Sequence, residues 1–184
     1  MKVKGTAILS TLEFIELRFG KDAINKIREK LSPEECEVLD GVIIQPVWYP
    51  FSLYVNLTKY MDQIYGISDL SLAKEMGSWA AAHDLKTIYK LFYKIGSPSF
   101  IIKRATKVFT TYFESGELKI ITETKNSIIM ELINFCEVDL VFIQRVSGFM
   151  QKTLELSGGI DAKVWGSQRP VDGKTVTTFN AFWK

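Results

Sequence analysis

Apolar positions recur at three- and four-residue steps through most of the first two-thirds of the chain. Ile8, Leu12, Ile15 and Phe19 form the first stripe, with Gly20 placed to end the helix. Ala23, Ile24, Ile27 and Leu31 form the next. Ser32-Pro33-Glu34-Glu35 is a helix start: a hydroxyl cap, Pro at the first position, and Glu three residues after the cap. Pro50 opens a helix carrying Leu53, Leu57, Met61 and Ile64, ended near Gly66. Asp69 caps a long segment with Leu72, Met76, Trp79 and His83 on one stripe. A second stripe of Ile88, Leu91, Phe92 and Ile95 follows Asp84 and stops at Gly96. Ser97-Pro98 starts a last helix that runs to about Phe113.

After Glu114-Ser115-Gly116 the period changes from helical to alternating. Residues 117–124 and 127–135 read as two strands joined by a Lys125-Asn126 turn. Helical spacing returns from Asp139 to Leu156 and stops at Gly158-Gly159. Gly148 stands inside that helix, where glycine is disfavoured. It predicts close approach of another backbone, from the sheet or a partner chain. Residues 160–166 alternate as a strand, 168–173 read as a turn, and 176–183 as the closing strand. The fold class predicted is α+β: a helical half over 1–113, then β-β-α-β-β over 114–184. Its four strands form one antiparallel sheet with helices on one face, in a single domain of 184 residues.

Composition narrows the function classes. Apolar residues make up 47% and charged residues 24%, which fits a globular domain rather than a disordered chain. The 23 basic residues against 21 acidic ones give no strong attraction to nucleic acid, and Lys103, Arg104 and Lys107 read as a solvated helix face. Cys36 and Cys136 are far apart, one in a helical and one in a strand-like stretch, so a reducing, cytoplasmic setting is expected. Glu13 and Glu16 interrupt the first apolar run too early for a signal peptide. The longest uncharged run, 41–58, contains Pro46 and Pro50, so no membrane span is predicted.

Catalytic motifs are missing. Neither glycine-rich phosphate loop nor a Gly-x-Ser-x-Gly elbow occurs, the cysteines form no Cys-x-x-Cys pair, and the carboxylates show no pairing. His83 is the one histidine, so no metal site is predicted. It reads as an inward or boundary side chain, or as a donor to a ligand. Trp48, Tyr49, Phe51 and Tyr54 form the most distinctive cluster. They are either a loop-to-helix corner packed on the core or the mouth of an apolar pocket. With Trp79 and His83 they are the candidate ligand-binding residues.

Three stretches together carry a family resemblance. Lys4-Gly5-Thr6-Ala7-Ile8-Leu9 up to Arg18-Phe19-Gly20 resembles the opening helix of haem-NO-binding domains. Lys94-Ile95-Gly96-Ser97-Pro98, with the helix into Tyr112-Phe113-Glu114-Ser115-Gly116-Glu117-Leu118, resembles that group and, more closely, an uncharacterised bacterial paralogue family. Gly148-Phe149-Met150 through Leu154-Glu155-Leu156-Ser157-Gly158-Gly159, then a strand, a glycine turn and Phe182-Trp183, resembles 4-vinyl-reductase and TRAPP-subunit domains. All belong to the NO-signalling and Golgi-transport ligand-binding superfamily. The resemblance implies a domain that holds haem, tetrapyrrole-related or other hydrophobic ligands, or acyl chains, between helices and sheet. It also implies where a haem ligand would stand. The axial histidine belongs in the helix over 97–113, which has none, and the Tyr-x-Ser-x-Arg propionate motif is missing. The cysteine cluster of some vinyl-reductase-type sensors is missing too.

The expectation is therefore a non-enzymatic binding or sensory domain without haem or other cofactor. A small hydrophobic ligand would lie between the N-terminal helices and the sheet. A homodimeric scaffold without ligand is the alternative, and an enzyme acting on a tetrapyrrole-like substrate is a third reading.

Overall fold

The computed structural model describes residues 1–88, 97–135 and 138–184. The chain opens on a short strand, β1 (Lys2–Lys4), and turns directly into α1 (Gly5–Phe19). Two short helices follow, α2 (Asp22–Arg28) and α3 (Pro33–Asp40). The Ser32 hydroxyl accepts from the Glu35 amide while the Glu35 carboxylate accepts from the Ser32 amide, completing the capping box that starts α3. Glu35 is buried, and its second oxygen accepts from the Asn56 side chain at 2.8 Å. Ser32→Ala is thus expected to lower stability by about 1 kcal/mol, read as a shift in the urea midpoint.

Residues Trp48–Pro50 form a second short strand, β2, antiparallel to β1 with Val3 opposite Tyr49. Sequence periodicity gave no hint of this pair, because three residues are too few to show an alternation. From it α4 (Phe51–Tyr65) and α5 (Ser71–Ile88) run on, and Asp69 accepts from the Ser71 amide at 2.9 Å. The expected stripe through Leu91, Phe92 and Ile95 lies outside the described residues. Next comes α6 (Pro98–Tyr112), with the Ser97 hydroxyl over its first turn.

The second half matches the predicted order. Strands β3 (Glu117–Glu123) and β4 (Ser127–Ile133), helix α7 (Leu140–Leu156), and strands β5 (Lys163–Val171) and β6 (Lys174–Phe182) form an antiparallel sheet in the order β3-β4-β6-β5. The boundaries shift by up to a few residues, most at the end of β5. The stretch expected to be a turn over 168–173 is mostly strand, because β5 continues through Pro170 to Val171 and only Asp172-Gly173 turns. Proline is tolerated there because β5 is an edge strand, paired on one side only. Ile128, Met130, Leu132, Phe179, Ala181 and Val164 turn inward, and α7 packs across them.

Helix α7 is buried along nearly its whole length, held between the sheet and α5. At its crossing with α5 the two backbones touch through Gly148 and Gly77. A Cβ on Gly148 would enter the Lys74 carbonyl, with its carbon only 2.9 Å away; one on Gly77 would enter the Arg145 carbonyl, 2.8 Å from its carbon. The backbone that approaches Gly148 is therefore α5, neither the sheet nor a second chain. Among the described residues, no helix is long and apolar enough to cross a membrane.

Candidate functional site

The six residues singled out from sequence do not converge. Phe51 is 2% exposed and sits at the centre of a ring cluster with Phe113, Phe135 and Phe142, whose centroids lie 5.4–6.0 Å from its own. Such edge-to-face packing is core. Trp48 lies on β2 under the Lys4 ammonium, 3.8 Å from the ring centre. The Tyr49 hydroxyl accepts from the Ile44 amide at 2.8 Å and so ties down the loop before β2. Trp79 and His83 stack on each other on α5 at 4.8 Å. His83 does not point inward: its side chain is 46% exposed and lies 3.6 Å from Glu13 on α1. Its helical stripe drifts around α5 until it faces solvent. Of the six, Tyr54 alone lines the cavity between the helices.

That cavity, about 70 Å³, lies where α1, α4, α5, α6 and α7 meet. Among the described residues the sheet contributes only Leu118, so the described lining is mostly helical. Ala7, Ala80, Val108, Phe109, Phe149 and Met150 make most of its wall apolar. Among the described residues, Arg145 and Ser10 break that wall, with Tyr54 and Tyr112 also in the lining. Arg145, 3% exposed, brings a guanidinium, and Ser10, 6% exposed, brings a hydroxyl that has no hydrogen-bond partner.

Arg145 is held on several sides. Its Nη1 donates to the hydroxyls of Thr11, at 2.9 Å, and Thr58, at 2.7 Å. Each threonine donates its own proton to the carbonyl four residues back, Thr11 to Ala7 at 2.7 Å and Thr58 to Tyr54 at 3.0 Å. A hydroxyl whose proton is committed in this way presents lone pairs, which suits it to a cation. The Arg145 carbon Cζ also stands 3.9 Å over the Tyr54 ring, a cation–π contact in a desolvated setting.

The sequence carried a signal for Arg145 that periodicity alone passes over. It lies three residues after Phe142 and four before Phe149, on the buried face of a strongly apolar helix. Ser10 likewise follows Ala7 by three. A charged residue inside an apolar stripe is the informative exception.

No family model matches the chain, and no curated protein matches it. Solved structures do. The Fe(II) unliganded H-NOX protein from K. algicida aligns with a TM-score of 0.72 at 19% identity, over 98% of this chain and 96% of that one. A point mutant of the same protein gives 0.74 at 20%, with the same coverage. The fold is that of the H-NOX proteins. An oxygen complex of an H-NOX domain related to soluble guanylate cyclases aligns with a TM-score of 0.69 at 13% identity, over 98% of this chain and 95% of that one.

The described residues do not fit a haem held in the way the family resemblance implies. Helix α6 carries no histidine, and His83 stands outside the cavity lining. The cavity of about 70 Å³ is also several-fold too small, since sites for drug-sized molecules run to roughly 300–1,000 Å³. Phe109 and Phe113 close in on the space, backed by Phe135 and Phe142. Among the described residues no group of three His, Cys, Asp or Glu side chains could hold a metal ion.

Proposed function

We propose that this chain is a non-enzymatic ligand-binding domain, regulatory in role, that uses the H-NOX fold without haem and receives a small molecule in the helix-lined cavity. One observation carries the reading: a largely apolar space between the helices whose lining includes the buried Arg145 and the buried Ser10. Pockets built to bind combine an apolar wall with a few placed polar groups. The H-NOX neighbours include an oxygen complex and an Fe(II)NO state, which supports ligand sensing as a use of this fold. The apolar lining supports a ligand with hydrocarbon character. Helix α7 contacts the cavity, α5 and the sheet at once, so an occupant that shifts it would be felt on the far side of the domain.

Protein expressed with a haem precursor and desalted is expected to show no Soret band, and His83→Ala is expected to leave the spectrum unchanged. A band that survives desalting would contradict the haem-free reading. Its loss in His83→Ala would make that side chain the ligand. Occupancy of the cavity is tested by Ala80→Val, which places two methyl groups in the space. Small molecules that raise the melting temperature of the wild type should have no effect on this variant. Equal stabilisation of both proteins would move the binding site elsewhere.

A homodimeric scaffold is the second reading, and one feature favours it. Trp165 and Phe182 stack at 5.3 Å on the outer face of the sheet, and both are exposed. Paired exposed aromatics of this kind suit a protein contact.

A further inference from the structure

We propose that β5, the exposed edge of the sheet, pairs antiparallel with β5 of a second copy of this chain about a twofold axis at Ser167, setting Arg169 of each copy on Trp165 of the other. This deepens the homodimer reading above and rests on it. It is independent of what the cavity holds.

The two edges of the sheet differ. Strand β3 is broken by a bulge between Ile120 and Thr122, and α6 packs against it, with Lys103 paired to Glu123 at 2.7 Å. Bulges, charges and covering helices are the usual means of keeping an edge from pairing. Strand β5 instead runs for nine residues in unbroken register with β6, and Lys163, Trp165, Ser167, Gln168, Arg169 and Pro170 are exposed. A long, regular, accessible edge is a template for another strand.

The hairpin fixes which backbone groups point outward. Asp172 and Gly173, both at positive φ, form a two-residue turn, so the closing pair Val171 and Lys174 exchange hydrogen bonds. Such pairs alternate along an antiparallel ladder. The N–H and C=O groups of Val164, Gly166, Gln168 and Pro170 therefore point away from β6. The Val164 carbonyl agrees, since it accepts from the Lys74 ammonium of α5 at 3.1 Å.

Two of those positions select the partner. Pro170 has no N–H to give, and the Val164 carbonyl already has its donor. In the register centred on Ser167, Val164 of one copy faces Pro170 of the other. The missing donor thus falls opposite a carbonyl that needs none. Gly166 and Gln168 of opposite copies exchange bonds in both directions, and the Val164 N–H reaches the Pro170 carbonyl. A two-residue slip would set Pro170 against the Gly166 carbonyl, or the Gln168 N–H against the Val164 carbonyl, and lose bonds. A one-residue slip would turn outer faces against inner ones.

The outer face is complementary in the same register. Trp165 and Arg169 become a non-hydrogen-bonded pair, the closer kind, with about 4.5 Å between Cα atoms. Trp165 is already stacked on Phe182 at 5.3 Å, and the two are 48% and 41% exposed. A guanidinium over these rings covers them and gains a cation–π contact. The Asp172 turn of each copy also comes beside Lys163 of the other, opposite charges at both ends of the seam.

The test is disulfide trapping of the whole chain under mild oxidation, beside sedimentation over a concentration series. The wild-type mass is expected to rise from monomer to dimer and no further. In Ser167→Cys the two sulfurs meet across the axis, at a spacing a disulfide can bridge. In Arg169→Cys the two positions stand roughly 14 Å apart, four residues along the strand. Ser167→Cys is therefore expected to form a linked dimer at least tenfold faster than Arg169→Cys, with the wild type as the background for the native cysteines. Both positions are exposed, so neither substitution touches the core. Trp165→Ser and Arg169→Ala should each raise the dissociation constant several-fold, and the double variant little more, because both remove one contact. Arg169→Cys linking as fast as Ser167→Cys, or wild-type dimers that neither Trp165→Ser nor Arg169→Ala weakens, would overturn the β5 pairing and leave the homodimer reading standing. A wild type that stays monomeric throughout the series would remove both.

Discussion

Gly148→Leu is expected to lower the melting temperature by roughly 6–12 °C, the consequence of about 3 kcal/mol of overpacking in a chain of this length. The reason is backbone and not side chain. Any Cβ at this position enters the Lys74 carbonyl of α5, and the Ser78 amide of the same helix stands 3.1 Å away. A side chain could rotate aside, but these atoms belong to a helix and cannot move without separating α5 from α7. Ser78 also donates from its hydroxyl to the Gly148 carbonyl at 3.1 Å, a bond that the same separation would break. Alanine gives the more informative test. In an open helix Gly→Ala gains about 1 kcal/mol, whereas here Gly148→Ala should still destabilise. Gly77→Ala, facing the Arg145 carbonyl, should behave alike. Thermal melts of both alanine variants that matched or exceeded the wild type would show that the helices are not in contact.

Arg145→Ala is expected to cost about 3 kcal/mol or more, read from denaturant midpoints at unchanged slope. Hydrogen bonds to a charged donor are worth roughly 1.5–3 kcal/mol each, and Arg145 makes two to the threonines besides its contact with Tyr54. Truncation also removes an aliphatic stem packed in the interior. Arg145→Met keeps the stem and should recover part of the loss. Exchanging a buried charge for an apolar side chain of similar length is often close to neutral once the charge itself is gone. A methionine variant as stable as the wild type, yet indifferent to ligands, would show Arg145 to be present for binding and not for folding.

The helices and strands of the second half were legible because each shows a full period between punctuating residues. Pro33 and Pro98 mark helix starts, and Gly158 and Gly173, both at positive φ, mark turns. The pairing of β1 with β2 was not, since its register joins Val3 to Tyr49 across most of the N-terminal half and depends on tertiary contact. The aromatic segment around Trp48 was conspicuous by composition. Yet large rings near a helix start serve a core as readily as a pocket, and Phe51 went to the core. Tyr54 reached the cavity because it lies three residues on and faces Arg145. Arg145 itself was readable in principle. Ser10 became visible as a candidate only when the absence of a partner for its hydroxyl could be seen.

The account turns on whether small molecules enter that cavity, and the methionine methyls report on it directly. The chain has five methionines, of which only Met150 lines the cavity among those in the described residues. In a methyl NMR titration with molecules of up to five non-hydrogen atoms, at least one is predicted to shift the Met150 signal saturably. Met61 and Met130, buried elsewhere in the core, should hold still. A Met150 signal that no member of the panel moves, or one that moves only together with Met61 and Met130, would contradict it.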